Sequence, residues 1–108
     1  MTTAVVRYQT KPDQADENQR LIENVFAELA AKRPEVLRYQ CVRLEDGVTF
    51  VHVVHDAEGS EALTSLKAFQ EFQRGLKDRL ADEPERTSGH LVGSYVSDAV
   101  LALGQPTA

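Results

Sequence analysis

The most informative stretch of the chain is VLRYQCVRLEDGVTFVHVVH, residues 36–55. Two runs rich in β-branched and aromatic residues flank the sequence Glu45-Asp46-Gly47. An Asp-Gly pair between two such runs is a strong hairpin signal, because the favoured tight turn requires positive φ. We therefore predict two antiparallel strands over residues 36–44 and 48–55.

An amphipathic helix is predicted before this hairpin. Apolar residues recur at three- and four-residue spacing over residues 15–30, which is typical of a helix with one buried face. Asp13 fits the helix N-cap, and Pro34 ends the helix because proline cannot continue it.

A second helix is predicted after the hairpin, from residue 60 or 65 to residue 81. Phe69 and Phe72 belong to its apolar stripe. Gly75 lies inside it, and because an internal glycine costs about 1 kcal/mol relative to alanine, we expect close packing there. The acidic stretch 78–85 that follows is interpreted as a solvated helix end.

Further strands are predicted at residues 3–10 and 87–96, so the element order is βαββαβ. This order is that of an α+β ferredoxin-like sandwich, an antiparallel sheet with both helices on one face. We expect one domain over residues 1–97. Residues 98–108 form a C-terminal tail with room for one short helix.

Both faces of the predicted sheet carry apolar side chains. On the third strand Phe50 and Val54 point one way, while Val51 and Val53 point the other way. Two helices cover one face only, and an open apolar face exceeds what soluble monomers usually expose. We therefore expect a homodimer packed sheet to sheet; the short apolar tail is the alternative cover.

The overall composition excludes several classes of protein. A net charge of −5 over 108 residues disfavours nucleic acid and anionic membrane surfaces as partners. Cys41 is the single cysteine, so the chain forms no internal disulfide and no cysteine-based metal site. The sequence shows neither a signal peptide nor a membrane span, and we expect a cytoplasmic protein.

The order of elements, the length, and the segment LKAFQEF at residues 66–72 resemble the dimeric α/β-barrel superfamily. Within it, the resemblance is to the branch of small proteins similar to antibiotic biosynthesis monooxygenases. It implies two ferredoxin-like subunits whose sheets form a shared barrel. It also implies a range of activities, among them monooxygenases that use no cofactor and act on polycyclic aromatic substrates.

Two departures limit what the resemblance implies. The haem-degrading members rely on an Asn, a His and a Trp, but this chain has no Trp. Its asparagines, Asn18 and Asn24, fall on the first predicted helix and not on a strand. Haem degradation is therefore set aside.

Histidines are the candidate catalytic residues. His52 is predicted on the Phe50 face of its strand, with His90 as a cross-strand neighbour, and either could act as a base because imidazole titrates near neutral pH. His52 and His55 are three residues apart, so they point to opposite faces and do not share a metal ion. The alternative is a hydrogen-bonded core or interface histidine.

Candidate substrate-binding residues are aromatic or basic, and any pocket is expected between the sheet and the helices: Phe50, Phe69, Phe72, Tyr39 and Arg43. Tyrosines on strands, Tyr8 among them, can orient a substrate through the hydroxyl, although packing is their commoner role. A strand arginine can bind a carboxylate, or it can protect a sheet edge from aggregation.

The enzyme hypothesis is a monooxygenase without cofactor or metal, acting on an aromatic or polyketide-like small molecule. A proton-abstracting histidine would create an electron-rich anion that reacts with oxygen. The alternative is a non-catalytic dimer module that binds a small ligand or serves a stress response. A structural interaction domain with a filled core is a third possibility.

Overall fold

The computed structural model describes residues 2–34, 37–56 and 61–99. Four antiparallel strands form one sheet in the order β2-β3-β1-β4, with the helices on one face. The elements in chain order are β1 Thr2–Gln9, α1 Ala15–Lys32, β2 Leu37–Arg43, β3 Thr49–Asp56, α2 Glu61–Thr64, α3 Lys67–Arg74, α4 Leu76–Arg79 and β4 Glu85–Gly89. The predicted ferredoxin-like α+β arrangement is confirmed.

The first helix follows the predicted apolar stripe, but its start differs. Asp13 lies in a 3-10 turn, Pro12–Gln14, and the cap residue of α1 is Gln14, which makes no side-chain capping bond. The prediction of an Asp13 cap is therefore wrong, because Pro12 initiates a tighter turn first. At the other end Arg33 is left-handed, at φ 48°, and Pro34 follows it.

The hairpin is confirmed, and its loop, residues 44–48, is longer than the predicted connection of residues 45–47. Gly47 has φ 78°, and its N–H donates to the carbonyl of Leu44 over 3.0 Å. Asp46 accepts bonds from the N–H groups of Val48 and Thr49, at 3.0 and 2.8 Å. The carboxylate therefore organises the loop, and only the glycine needs positive φ.

The predicted second helix is divided into α2, α3 and α4. Gly75 separates α3 from α4, and a Cβ there would lie 3.0 Å from Nη1 of Arg79. The expected close packing at this glycine is thus found, against a guanidinium. Asp78 and residues 81–85 are exposed, in agreement with the predicted solvated helix end, but Arg79 within this stretch is only 5 % exposed.

The fourth strand is shorter than predicted and ends at Gly89. Gly89 pairs with Thr3, at the start of β1, so β1 has almost no further backbone to pair with later residues. Residues 90–97 lie outside the sheet, and Val92 and Tyr95 are 95 % and 89 % exposed. Of the predicted tail, only residues 98 and 99 are among those described.

The core lies between the sheet and the helices. Its buried apolar residues come from both layers: Tyr8, Ala15, Ile22, Val25, Phe50, Leu63, Leu66 and Phe72. The opposite face of the sheet is less covered, with Val5 36 % and Val42 54 % exposed. In the described part of the chain no helix has the length and apolarity to span a bilayer.

Candidate functional site

A cavity of about 430 Å³ lies between the helix-side face of the sheet and α2–α4. Its wall is mainly apolar and aromatic, and its polar groups come from the sheet and, at Thr64 and Gln73, from the helices. The lining residues are Ala4, Val6, Tyr8, Tyr39, His52, Val54, Leu63, Thr64, Phe69, Phe72, Gln73, Leu76, Pro84 and Arg86. A cavity of this size suits a small aromatic molecule.

His52 forms the polar centre of this wall. Its Nε2 lies 2.7 Å from the hydroxyl of Tyr8, and its Nδ1 lies 2.6 Å from the hydroxyl of Tyr39. The register explains this convergence, since Val6 of β1 and Cys41 of β2 flank His52 on β3. Tyr8 and Tyr39 are therefore each two residues from the pair position, within reach of a long side chain on the same face.

Two further polar residues extend the network behind Tyr8. Asn18 donates from Nδ2 to the Tyr8 hydroxyl over 2.9 Å, and its Oδ1 accepts from Nε of Arg79 over 2.9 Å. Arg79 also donates from Nη2 to the carbonyl of Phe72 over 2.7 Å. A continuous chain of hydrogen bonds thus runs from Arg79 through Asn18, Tyr8 and His52 to Tyr39.

Burial determines the charge states of the side chains in and beside this hydrogen-bonded chain. Loss of solvent lowers the pKa of His52 to about 4, so its imidazole is neutral at neutral pH. Burial likewise raises the pKa of both tyrosines, Tyr8 and Tyr39, above the usual range, and that of Cys41 to about 12. Burial lowers the pKa of Arg79, but a guanidinium stays protonated in proteins.

Aromatic rings hold the imidazole in place. The rings of Tyr8, Tyr39 and Phe72 lie with centroids 5.3, 5.8 and 5.7 Å from that of His52. The guanidinium carbon of Arg79 lies 5.3 Å from the centre of the Phe72 ring, a cation–π contact. Such stacking restricts ring rotation, so the polar atoms keep fixed positions around the cavity.

The described part of the cavity wall carries positive charge. Among the described residues that line it there is neither Asp nor Glu, whereas Arg86 of β4 is one of them. Within residues 2–34, 37–56 and 61–99, the side chain of Arg86 has no hydrogen bond or ion pair, and Arg79 has no carboxylate at ion-pair distance, although Glu17 acts on it at longer range. This arrangement contrasts with the net charge of −5 for the whole chain.

The predicted binding residues divide into two groups. Tyr39, Phe69 and Phe72 line the cavity. Phe50 is buried in the core and stacks on Tyr8 with centroids 5.7 Å apart, so it supports the site from behind. Arg43 lies away from the cavity, where its guanidinium bonds to Gly47 and to residues 16 and 19 of the first helix.

The predicted histidine pair is not brought together. The expectation that His90 neighbours His52 is wrong, because β3 pairs with β1 and β2, whereas β4 pairs with β1. His90 follows the last residue of β4 and is exposed. His55 lies on the opposite face of β3 from His52, as predicted, and its Nδ1 is 2.9 Å from Oγ1 of Thr3.

The sequence analysis missed Asn18 and Arg79. Asn18 falls between Ala15 and Ile22 in the buried stripe of α1, so its spacing is a usable signal for a buried amide. Arg79 lies seven residues after Phe72 on the apolar side of its segment, but the surrounding acidic residues conceal that periodicity.

Metal-binding potential can be assessed for the described residues. Among them no three His, Cys, Asp or Glu side chains come together as a group able to hold a metal ion. The nitrogens of His52 face tyrosine hydroxyls.

Comparisons with known proteins identify solved structures that share this fold. A scan against protein-family models gives no match, and a search of curated proteins gives none either. Among solved structures, a putative antibiotic biosynthesis monooxygenase from Nitrosomonas europaea superimposes with a TM-score of 0.71 at 14% identity, over 86% of this chain and 100% of that chain.

Two more solved structures agree. SnoaB, a cofactor-independent oxygenase from Streptomyces nogalater, has a TM-score of 0.62 at 16% identity, over 86% of this chain and 94% of its own. A putative antibiotic biosynthesis monooxygenase from Caulobacter crescentus has a TM-score of 0.65 at 21% identity, over 85% and 90%. The chain therefore shares the ferredoxin-like α+β fold of these three structures, as its sequence pattern predicts.

Proposed function

We propose that this protein is a homodimeric monooxygenase that needs no cofactor and acts on an aromatic or polyketide-like ketone or phenol bound in the cavity. The observation that carries the proposal is the buried His52, held between two tyrosine hydroxyls in an aromatic cavity. The fold shared with a cofactor-independent oxygenase adds support by analogy.

The reaction class follows from what such a cavity can stabilise. A hydrogen bond to the oxygen of an aromatic ketone favours its enolate, an electron-rich anion that can pass electrons to molecular oxygen. The activated CH₂ carbon becomes a carbonyl. One oxygen atom enters that new C=O bond, and the other leaves as water with the two hydrogens of the carbon. The substrate supplies all four electrons.

Different residues of the cavity contact the apolar rings and the polar oxygen of the substrate. Phe69 and Phe72 provide flat apolar surface for the rings of the substrate. His52 and Tyr39 form the polar end, where the oxygen of the substrate is held and where a proton can be exchanged. We assign no catalytic role to His90, because it is not part of this cavity.

The dimer is proposed from the open face of the sheet. Val5 and Val42 expose apolar surface there, and Val51 and Val53 of β3 share that face. A second copy packed on it around a two-fold axis would bury this surface and form the shared barrel. Light scattering at micromolar concentration tests this: we expect about twice 12.0 kDa, and a monomer mass would contradict it.

Oxygen consumption with anthrone as substrate tests the activity. Wild-type protein should consume one O₂ per quinone formed. Tyr39→Phe should lower the rate of oxygen consumption at least about tenfold, because the loss of one hydrogen bond of ordinary strength to the transition state lowers a rate by that factor. Tyr95→Phe is the matched control, since Tyr95 is exposed outside the cavity.

The competing function is a ligand-binding module that performs no reaction. The same apolar cavity would serve it, and the same fold hosts different activities. Anthrone binding without oxygen consumption would favour the module and contradict the enzyme. Oxygen consumption that Tyr39→Phe leaves unchanged would also contradict the proposed site.

A further inference from the structure

The hydrogen bonds around His52 have a direction that the donor and acceptor chemistry determines. A neutral imidazole has one N–H donor and one bare nitrogen acceptor. Because each nitrogen of His52 faces a tyrosine hydroxyl, one tyrosine must donate to the ring and the other must accept from it. Two arrangements satisfy this condition.

Arg79, at the far end of the hydrogen-bonded chain, determines which way the Asn18 amide is oriented. A guanidinium can only donate, so the atom of Asn18 that faces Nε of Arg79 must be the carbonyl oxygen. The amide nitrogen of Asn18 then donates to the oxygen of Tyr8. One acceptor position of that phenol oxygen is thereby occupied.

The two arrangements differ at Tyr8. If Tyr8 donates its O–H to Nε2 of His52, the hydroxyl hydrogen of Tyr8 has an acceptor, and Nδ1–H of His52 donates to the oxygen of Tyr39. In the reverse arrangement the hydroxyl hydrogen of Tyr8 is buried and has no acceptor among the described residues, since Asn18 and His52 are its partners there. Buried donors without partners are strongly disfavoured, so the first arrangement prevails.

We propose that the buried Arg79–Asn18 pair directs this chain so that the cavity offers the Tyr39 hydroxyl as a hydrogen-bond donor to the ionised oxygen of a phenol or enol ligand. In this arrangement the Tyr39 oxygen accepts from His52, and its own O–H is left for the cavity that it lines. The inference rests on the proposed function in taking this cavity as the ligand site.

The charges around the cavity favour the ionised ligand over a neutral one. Arg79 lies behind the wall as a cation with no carboxylate at ion-pair distance among the described residues; Glu17 acts on it only at longer range, and Arg86 lines the cavity. Buried cations are normally paired at close range, so an anion in the cavity would add a favourable interaction. Successive donation outward from Arg79 polarises the chain in the same sense.

This direction changes the role of His52. Its bare nitrogen accepts from Tyr8 and its N–H donates to Tyr39, so it does not take the proton of the ligand directly. Arg79, Asn18, Tyr8 and His52 are positioning residues, and Tyr39 is the residue that touches the ligand.

Spectroscopic titration with 4-nitrophenol, whose ionised form absorbs visible light, tests the donor role. We expect wild-type protein to bind the ionised form about tenfold more tightly, which lowers the pKa of the bound probe by about one unit. Tyr39→Phe should abolish the preference and Tyr95→Phe should retain it. Tighter binding of neutral 4-nitrophenol to the wild-type protein would overturn the proposal, and this titration requires no variant.

Asn18→Asp tests the direction itself. A carboxylate at this position only accepts, so it would accept from both Arg79 and the Tyr8 hydroxyl, and the chain beyond would reverse. Tyr39 would then donate to His52, and the preference for ionised 4-nitrophenol should be lost. Asn24→Asp adds the same charge at an exposed position of α1 and should leave the preference intact.

Binding of 4-nitrophenol is measured without oxygen turnover, so the proposed enzyme activity and the proposed hydrogen-bond direction can fail independently. Anthrone oxidation without a preference for ionised nitrophenol would overturn the hydrogen-bond direction and leave the enzyme. The preference without anthrone oxidation would overturn the enzyme and leave the direction. An Asn18→Asp variant that keeps the full preference would overturn the direction.

Discussion

His52 and His55 lie three residues apart on β3, and both are buried, but they belong to different environments. His52 faces the helices, is bonded at both nitrogens and borders a cavity. His55 faces the other side, where its Nδ1 meets Thr3 and where Val5 and Val42 remain exposed. The alternation of a strand thus separates the proposed ligand site on one face from the proposed contact surface on the other.

The two faces of the sheet differ in how fully other parts of the chain cover them. On the helix side the helices cover the sheet, and both nitrogens of His52 have hydrogen-bond partners. On the other side Val5 and Val42 stay 36 % and 54 % exposed among the described residues. This contrast supports assigning the ligand site to the first face and the second copy to the other.

The largest expected effect concerns packing on the helix side. Phe50→Ala should lower the free energy of unfolding by about 3–5 kcal/mol, because it removes a buried ring and leaves a void. Val42→Ala on the opposite face should cost about 1 kcal/mol or less, since Val42 is half exposed. Urea unfolding measures both, and equal costs would remove the distinction between the faces.

The next effect is a loss of stability in acid that comes from His52. Its pKa is about 4 when folded and about 6.5 when unfolded, so the unfolded chain binds more protons between these values. Stability should therefore fall by about 3 kcal/mol as the pH drops from 6.5 to 4.

The control for this pH dependence is His52→Phe, in which the corresponding loss should be absent over the same range. Urea unfolding at several pH values gives both curves, and their difference isolates His52 from the carboxylates that titrate in the same window. Parallel curves would contradict the burial of a neutral imidazole.

A charge on the open face should weaken the proposed dimer. Val42→Asp would place carboxylates in the shared interface of both subunits, and burying a charge is costly. We expect the dissociation constant to rise about thirtyfold, or about 2 kcal/mol. Sedimentation equilibrium measures this, with Asn24→Asp, exposed on α1 on the helix side of the sheet, as the control that should leave the dissociation constant unchanged. A dissociation constant unchanged by Val42→Asp would contradict packing on this face.

The smallest effect concerns Gly75. Helix propensity alone predicts that Gly75→Ala stabilises the protein, but the new Cβ would lie 3.0 Å from Nη1 of Arg79. That guanidinium is held by two hydrogen bonds and cannot retreat freely. We expect a net loss of about 1 kcal/mol in thermal or urea unfolding. A gain in stability would show that the Arg79 guanidinium can move away from the new Cβ without losing its hydrogen bonds.

Patterns of apolar residues predicted the sheet, the first helix and the hairpin, because burial of one face imposes a period on the sequence. The period also placed Tyr39, Phe69 and Phe72 on the side where the cavity lies. The strand after residue 84 was predicted too long, since its end depends on where β1 begins to pair and not on local propensity.

The polar network could not be predicted in the same way. Arg79 and Asn18 meet only after α4 folds back on α1, 61 residues apart in sequence. Neighbouring acidic residues made Arg79 look solvated, and an asparagine in a helix gave no sign of its partner. Hydrogen-bond partners across such distances depend on tertiary geometry, whereas periodicity reports only which side of an element is buried.

Nitrogen-15 NMR of the histidine rings tests the central claim most directly, because ring nitrogens with and without hydrogen have well-separated chemical shifts. The account predicts that His52 at neutral pH is neutral and carries its hydrogen on Nδ1, since Nε2 accepts from Tyr8. In Asn18→Asp the hydrogen should move to Nε2. A protonated imidazolium, or hydrogen on Nε2 in the wild-type protein, would contradict the account.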